Sequence, residues 1–456
     1  MKQLSQYFLM LSLLLASNQL FAQISINSEN TDPDPSAMLD VQSTTSGFLT
    51  PRMTQAQRDA IADPATSLLI YQTDNDPGYY YNNGTPDTPD WVRIGNGERQ
   101  ITCDLRIPLD SVAHFDTHSG RLTAYLITQP GSYYLTDSIL VNANDVTAIF
   151  IDTSHVTLDL NGYIITGPGP VNANVSSNAI FIQGARNNIT IKNGIIDNWG
   201  GDGIGGAEVN MSLLRNLIVS NSVRSGFRLG SNNVVEGCHA FGNSGIGFRS
   251  SDGCNYIRCT ASENALDGFR VFGGTQFINC TALLNTQDGI DGANNVMALG
   301  CVVSYNGEEG IELTANGLVF KCTAHENQGS GIDVSTNSRV SFCNASLNDF
   351  DGIRLRGESG IVSDCVAHEN DENGIHASST NANKVVIENN GATDNDVNGI
   401  RTAGAGVLVI RNRLAGNLAA FDLHPGTNHG PIIDVTSVGD ISTVAGANHP
   451  LANYTY

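Results

Sequence analysis

Cys280-Thr281-Ala282-Leu283-Leu284-Asn285-Thr286-Gln287-Asp288-Gly289-Ile290 is one copy of a pattern that governs most of the chain. The cysteine recurs at Cys238, Cys259, Cys280, Cys301, Cys322 and Cys343, each 21 residues from the last, and at Cys365 after 22. Alanine or valine stands two residues later, asparagine five later and glycine nine later, as in Ala261, Asn264 and Gly268. Phe248, Phe269, Ile290, Ile311, Ile332 and Ile353 follow the glycines. A fixed period near 20 marks a solenoid, whereas helical repeats need about 33–47 residues. The apolar runs are short and broken by Gly and Asn, which reads as strands and turns. Each unit therefore fits one turn of a parallel β-helix, with three strands and three corners.

In such a stack every column of the repeat becomes a ladder spaced by about 4.8 Å. Cys and the Ala two places on share one strand face. With the Phe/Ile column they fill the bore. The asparagine is expected at a tight left-handed corner, with its amide bonding between coils, and the glycine at a second bend. Counting from Ile149, Ile180, Ile204 and Phe227 through Ile400 gives twelve coils, a rod of about 58 Å. Stacked cysteines hold parallel Cβ atoms about 4.8 Å apart, beyond disulfide reach, so the ladder reads as buried free thiols. Cys103 and Cys254 fall outside it.

The pattern resembles the right-handed parallel β-helix repeat proteins of the pectate-lyase-like group, over roughly residues 125–456. The resemblance implies an all-β, right-handed, single-stranded parallel β-helix. Its chemistry is left open, because the group spans lyases, hydrolases, epimerases and adhesins.

The 45 acidic residues against 23 Lys plus Arg give a net charge of −22. That argues against a nucleic-acid partner or an anionic membrane face, and no later apolar run is long enough for a membrane span. Lys2, the run Phe8–Ala16 and Leu20-Phe21-Ala22 read as a secretory signal peptide cleaved before Gln23, which makes the expected location secreted or cell-surface. The expected division is signal peptide 1–22, a small β-rich head module 23–100, linker or cap 101–124, β-helix 125–416 and C-terminal cap 417–456. In the head, Gly47-Phe48-Leu49-Thr50-Pro51-Arg52-Met53-Thr54 and Gln57-Arg58-Asp59-Ala60-Ile61 resemble a module of bacterial surface and phage tail-fibre-like proteins, which implies a homotrimer. Leu68–Tyr71, Tyr79-Tyr80-Tyr81 and Trp91-Val92-Arg93 read as its strands, around turns such as Asn83-Gly84. The segment Asn448–Tyr454 is expected to cover the last coil, whose open edges would otherwise pair with other chains.

Two outward columns carry charge. Two residues after the glycine stand Arg228, Arg249, Arg270, Asp291, Glu312, Asp333, Arg354 and His376. Just before it stand Asp267, Asp288, Glu309 and Asp351. Asp267, Asp288, Asp291, Glu309, Glu312 and Asp333 are candidate Ca²⁺ ligands, since Ca²⁺ takes six to eight oxygens. Crowded carboxylates also shift one another's pKa values. Asp288 and Asp291 with Arg270 and Arg354 are the corresponding catalytic candidates, as the resemblance would imply for a uronate substrate. The alternative is a solvated surface in which Arg and Asp blocks relieve ladder repulsion. Asn285-Thr286-Gln287-Asp288-Gly289 is similar to the Asn-Thr-Asp-Gly motif of polygalacturonases with one residue inserted, but that family's Gly-Asp-Asp, Gly-His-Gly and Arg-Ile-Lys motifs are absent. Asp422, His424 and His429 form a further metal candidate in the tail. Two functions stay open: a surface or fibre-like protein contacting glycans, and a Ca²⁺-dependent polysaccharide lyase or epimerase acting on uronate polymers. Coils of 21 residues leave little length for loops to wall a cleft, which favours binding, although loops from the irregular coils between Gly162 and Val209 could supply a wall.

Overall fold

The computed structural model describes residues 23–29, 31–94, 106–109, 116–143, 145–169, 177–381 and 383–456. The expected leader and Cys103 lie outside them. The chain divides into two units, Met1–Asp104 and Leu105–Tyr456.

In the first unit Arg52–Met53, Leu69–Gln72, Gly78–Asn82 and Trp91–Ile94 form one sheet, and Ile24–Ile26 pairs with Leu39–Val41. Thr54 opens a short helix, Gln55–Asp59, through a capping box with Gln57. Buried Asn82 fixes the Asn83-Gly84 turn: its Nδ2 donates to the Pro64 carbonyl at 2.7 Å, and its Oδ1 accepts from the Gly84 and Asp90 N–H groups. Arg58 lies over the Tyr80 and Trp91 rings.

The second unit is a parallel β-solenoid of three faces. One coil shows the plan: Ile290–Gly292 lies on face one, Met297–Leu299 on face two and Val302–Ser304 on face three. Each strand pairs in parallel with its counterpart in the next coil, as Ile290 does with Ile311 and Ala298 with Val319. Face one has fifteen strands, fourteen of them parallel and the first, Asp116–His118, antiparallel. The stack thus exceeds the twelve coils counted from the repeat. Arg121–Ile127 adds a rung before Ile149, and Ala419–Leu423 one after Ile400; both lie where the spacing is irregular. At the far end Asn453–Thr455 pairs with Arg413–Ala415.

The bore is lined as the columns demand. Cys259, Ala261, Phe269 and Phe277 are buried. Phe227, Phe248 and Phe269 stack with centroids 4.6 and 4.9 Å apart, and Tyr256 and Phe277 meet Phe269 edge-on. All eight cysteines among the described residues are free and buried. The thiols of Cys254, Cys259, Cys280, Cys322 and Cys343 donate to carbonyls of the preceding coil, as Cys280 does to Tyr256 at 3.4 Å, and burial pushes the Cys238 thiol up to about 12. Cys254 lines the corner between faces one and two, its thiol 3.3 Å from the Gly230 carbonyl.

Two corner expectations need correction. The ladder asparagines are not left-handed; the residues just before them are, including Leu284 (φ 56°), Tyr305 (φ 57°) and Glu326 (φ 50°). Each Asn instead points inward and bonds coil to coil: Asn306 Nδ2 donates to Asn327 Oδ1 at 2.9 Å and to the Ala282 carbonyl at 3.2 Å. The ladder runs from Asn243 to Asn417. The glycine column is not a bend either. A Cβ on Gly289 would lie 2.5 Å from the Gly310 carbonyl oxygen and 2.8 Å from Asn306 Nδ2, so glycine is needed to admit the ladder. A second, shorter ladder runs Asn390, Asn412, Asn453.

Candidate functional site

Face one presents its central strand residue outward, and strand register stacks these side chains in sequence order. Arg228, Arg249 and Arg270 lie in line, followed by Asp291, Glu312 and Asp333, then Arg354 and His376. The face thus has a basic stretch, an acidic stretch and a mixed end.

At the acidic stretch the structure brings Asp267, Asp288 and Asp291 together, with ligand oxygens within 4.8 Å of one another; Asp288, Glu308 and Glu309 form a second such group. Asp267, Asp288 and Asp351 are buried, so at these positions the column before the glycine does not face outward as expected. Burial, then Glu312 and Glu309, push Asp288 up to about 8. Burial raises Asp267 to about 6 against the pull of Arg270, and lifts Asp291 as well. Asp288 Oδ1 accepts the Glu309 N–H at 2.8 Å. Asp288 therefore holds its proton near neutral pH in the midst of other carboxyl groups, a setting in which acid–base work is possible.

Arg270 closes the first group. Its Nε donates to Asp291 at 2.8 Å and lies 2.7 Å from Asp267 Oδ2. A Ca²⁺ ion shared by Asp267 and Asp291 would have to displace that guanidinium, so this trio does not fit the ion as it stands. Glu312 and Asp333 are drawn away from the cluster by Arg356, whose Nη2 and Nε reach them at 2.5 and 2.7 Å. Arg354 Nε pairs with Asp333 at 3.0 Å. Burial still raises Asp333 to about 7. Arg270 and Arg354 each pair with carboxylates.

Some charged residues escaped the column reading. Arg356 and Glu308 lie off both columns. Asp351 and His376, one from each column, meet: buried Asp351 lies 2.9 Å from His376 Nδ1 and accepts from Asn373 Nδ2 at 2.6 Å. In the tail, Asp422 faces Arg401 at 3.4 Å and His429 Nδ1 lies 2.8 Å from its neighbour's carbonyl. With His424 they form no metal-competent group among the described residues. Beside the basic stretch lie two adjoining depressions of about 250 and 240 Å³. Among the described residues no helix is long and apolar enough to cross a membrane.

A family model described as "Right handed beta helix region" matches residues 127–296 and 290–417. The chain belongs to this family. Residues 25–104 of this right-handed β-helix protein match a second model, "Phage tail like trimerisation region". No curated protein matches it. Among solved structures it is similar to the mannuronan C-5 epimerase AlgE4 A-module of Azotobacter vinelandii: 15% identity, 66% of this chain, 91% of that one, TM-score 0.42. It is also similar to the periplasmic alginate epimerase AlgG: 13% identity, 69% and 79% coverage, TM-score 0.33. A third similar structure is ORF18 of Geobacillus virus E2, with 12% identity, 83% and 75% coverage and a TM-score of 0.33.

Proposed function

We propose that this protein is exported and acts as a trimeric, fibre-like binding protein whose β-helix presents face one to a glycan. The observation that carries the reading is the form of that face: a long parallel sheet bearing an ordered row of charged side chains. Its repeat of 21 or 22 residues from Cys238 to Cys365 leaves only corner residues between strands. A flat charged strip of this kind suits an extended ligand lying along it, while a lyase or epimerase needs walls to exclude water from the reacting sugar. Arg270 and Arg356 engage the acidic row in ion pairs, which also favours binding over catalysis. The match of residues 25–104 to a trimerisation region supports three copies. Residues 1–22 supply the export reading.

The test combines three measurements on the expressed protein. Its N-terminus after secretion should be Gln23, and sedimentation equilibrium should give three chains. A glycan array should show binding that disappears when face one carries a bulky substitution such as Asp291→Trp. Unsaturated or epimerised product from uronate polymers with Ca²⁺, abolished by Asp288→Asn, would replace this reading with the enzymatic one.

A further inference from the structure

We propose that face one carries an anion-binding subsite, formed by Arg249 with Arg224 and Arg228, that takes a carboxylate or sulfate group of an acidic saccharide. The saccharide part rests on the glycan reading above; the anion part stands without it.

Strand register places Arg228, Arg249 and Arg270 directly over one another, about 4.8 Å apart. Like charges stacked in this way destabilise a sheet. Arg270 is neutralised by Asp267 and Asp291, and Arg228 Nη1 lies 3.8 Å from Asp202 Oδ2. Arg249, between them, is half-buried and makes no ion pair or hydrogen bond among the described residues. Asp202 acts on Arg249 only at longer range and is shared with Arg224 and Arg228, so this partly desolvated guanidinium is short of counter-charge, and the fold gives an anion room. Arg249, Arg224, Arg228 and Asp202 line the depression of about 240 Å³, with Ile246 and Leu266 as apolar wall. The adjoining depression shares Arg224, Arg228 and Asp202 and adds Glu208 and Arg121, whose guanidinium lies 4.0 Å from the Phe181 ring centre.

Beside Arg228 and Arg249 the first depression sets one carboxylate, Asp202, whose Oδ1 already accepts the Ser225 N–H at 3.1 Å. Burial pushes the Asp202 carboxyl up, which lessens its competition with an incoming anion. The local field is therefore positive on a chain of net charge −22, so an acidic ligand is drawn here and repelled elsewhere. Guanidinium forks match the oxygens of carboxylate and sulfate, and the apolar wall suits the C–H face of a sugar ring. The row turns acidic at Asp291. With Arg270 neutralised, the attractive stretch from Arg228 to Arg249 spans one strand spacing, roughly 5 Å, which selects a short acidic segment over a long polyanion.

The experiment uses the full chain, calorimetric titration and thermal melting at constant ionic strength. The probes are sodium sulfate, a uronic-acid disaccharide, a sulfated disaccharide and a neutral disaccharide. Acidic disaccharides should bind and raise the melting temperature, and the neutral one should not. Arg249→Gln should weaken acidic binding about tenfold or more, Arg249→Lys less, and Arg411→Gln, on another face, not at all. Without ligand, Arg249→Gln should melt no lower than the wild type, because it relieves stacked charge. Sulfate binding that depends on Arg249, with no saccharide binding, would keep the subsite and remove the glycan reading. Saccharide binding indifferent to charge and to Arg249 would do the reverse. Unchanged acidic binding in both Arg249 variants, or no binding of any anion, overturns the proposal.

Discussion

Replacing Asn306 by alanine tests the ladder at its centre. Asn306 Nδ2 donates to Asn327 Oδ1 and to the Ala282 carbonyl, and its Oδ1 accepts from Asn285 Nδ2 at 2.9 Å and from the Asn285 backbone N–H at 3.1 Å. Truncation removes all four bonds. Two groups keep a partner: Asn327 Oδ1 still accepts the Asn306 N–H, and Asn285 Nδ2 still donates to Ala261. The Asn285 N–H is left buried without its acceptor. An orphaned buried donor costs about 1–3 kcal/mol and each of the other bonds about 1 kcal/mol net, so the expected loss is about 5 kcal/mol. In a repeat stack, where each coil leans on its neighbours, such a loss is felt locally before it is felt globally. The assay is therefore urea unfolding together with native-state hydrogen exchange of the coils on either side, where the Asn285 amide should lose most protection. Asn306→Asp, of the same shape but without donors, should cost as much. A loss below about 1 kcal/mol, or one no larger than that of Gln328→Ala on the exposed corner, would refute the claim that these amides join the coils.

Gly289→Ala should destabilise by about 1–3 kcal/mol through overpacking against the Gly310 carbonyl, whereas Gly391→Ala, whose Cβ meets nothing within 4 Å, should be neutral or slightly stabilising in the same melts. Asp288 binds its proton more tightly folded, at about 8, than at its ordinary value of 3.8, so the native state holds more protons than the unfolded chain across that interval. Stability contributed by this group should therefore fall as pH rises from about 4 to 8, and Asp288→Asn should flatten the slope of melting temperature against pH; an unchanged slope would remove Asp288 as its source. Thiol alkylation followed by mass spectrometry should leave Cys259, Cys280 and Cys301 unmodified in the native protein and label all three in denaturant, and rapid native labelling would contradict their burial.

The bore was legible because inward residues must match the coils above and below: cysteine, alanine and Phe/Ile recur where Cys280, Ala282 and Ile290 stand. The corners were legible only in part. Asn or Gly marks the left-handed residue between faces one and two, at Asn232, Gly253, Gly274, Asn295, Asn316 and Asn337, but the other two corners place Leu284, Tyr305, Lys321 and Phe342 there with no shared side chain. The acidic group of Asp267, Asp288 and Asp291 could be assembled from two columns. Arg356 could not, since it reaches back 44 residues to Glu312 from outside either column. Arg224 stands on a corner ahead of Gly226, so its place beside Arg228 and Arg249 emerges only in three dimensions.

Because Asn264, Asn285 and Asn306 present the same donors and acceptors at equal intervals, each coil ends in the bonding pattern with which the next begins. The rod is modular in a literal sense. Excision of residues 276–296 would bring Thr275 to Met297 and Asn264 to Asn306, restoring both the backbone ladder and the amide chain in a molecule one rung shorter. Lengthening by duplication of such a segment obeys the same rule, while an insertion of any other size has to loop out or break the file of amides. Length is thus adjustable in whole steps, and the span of the solenoid can drift during evolution without a new fold being invented.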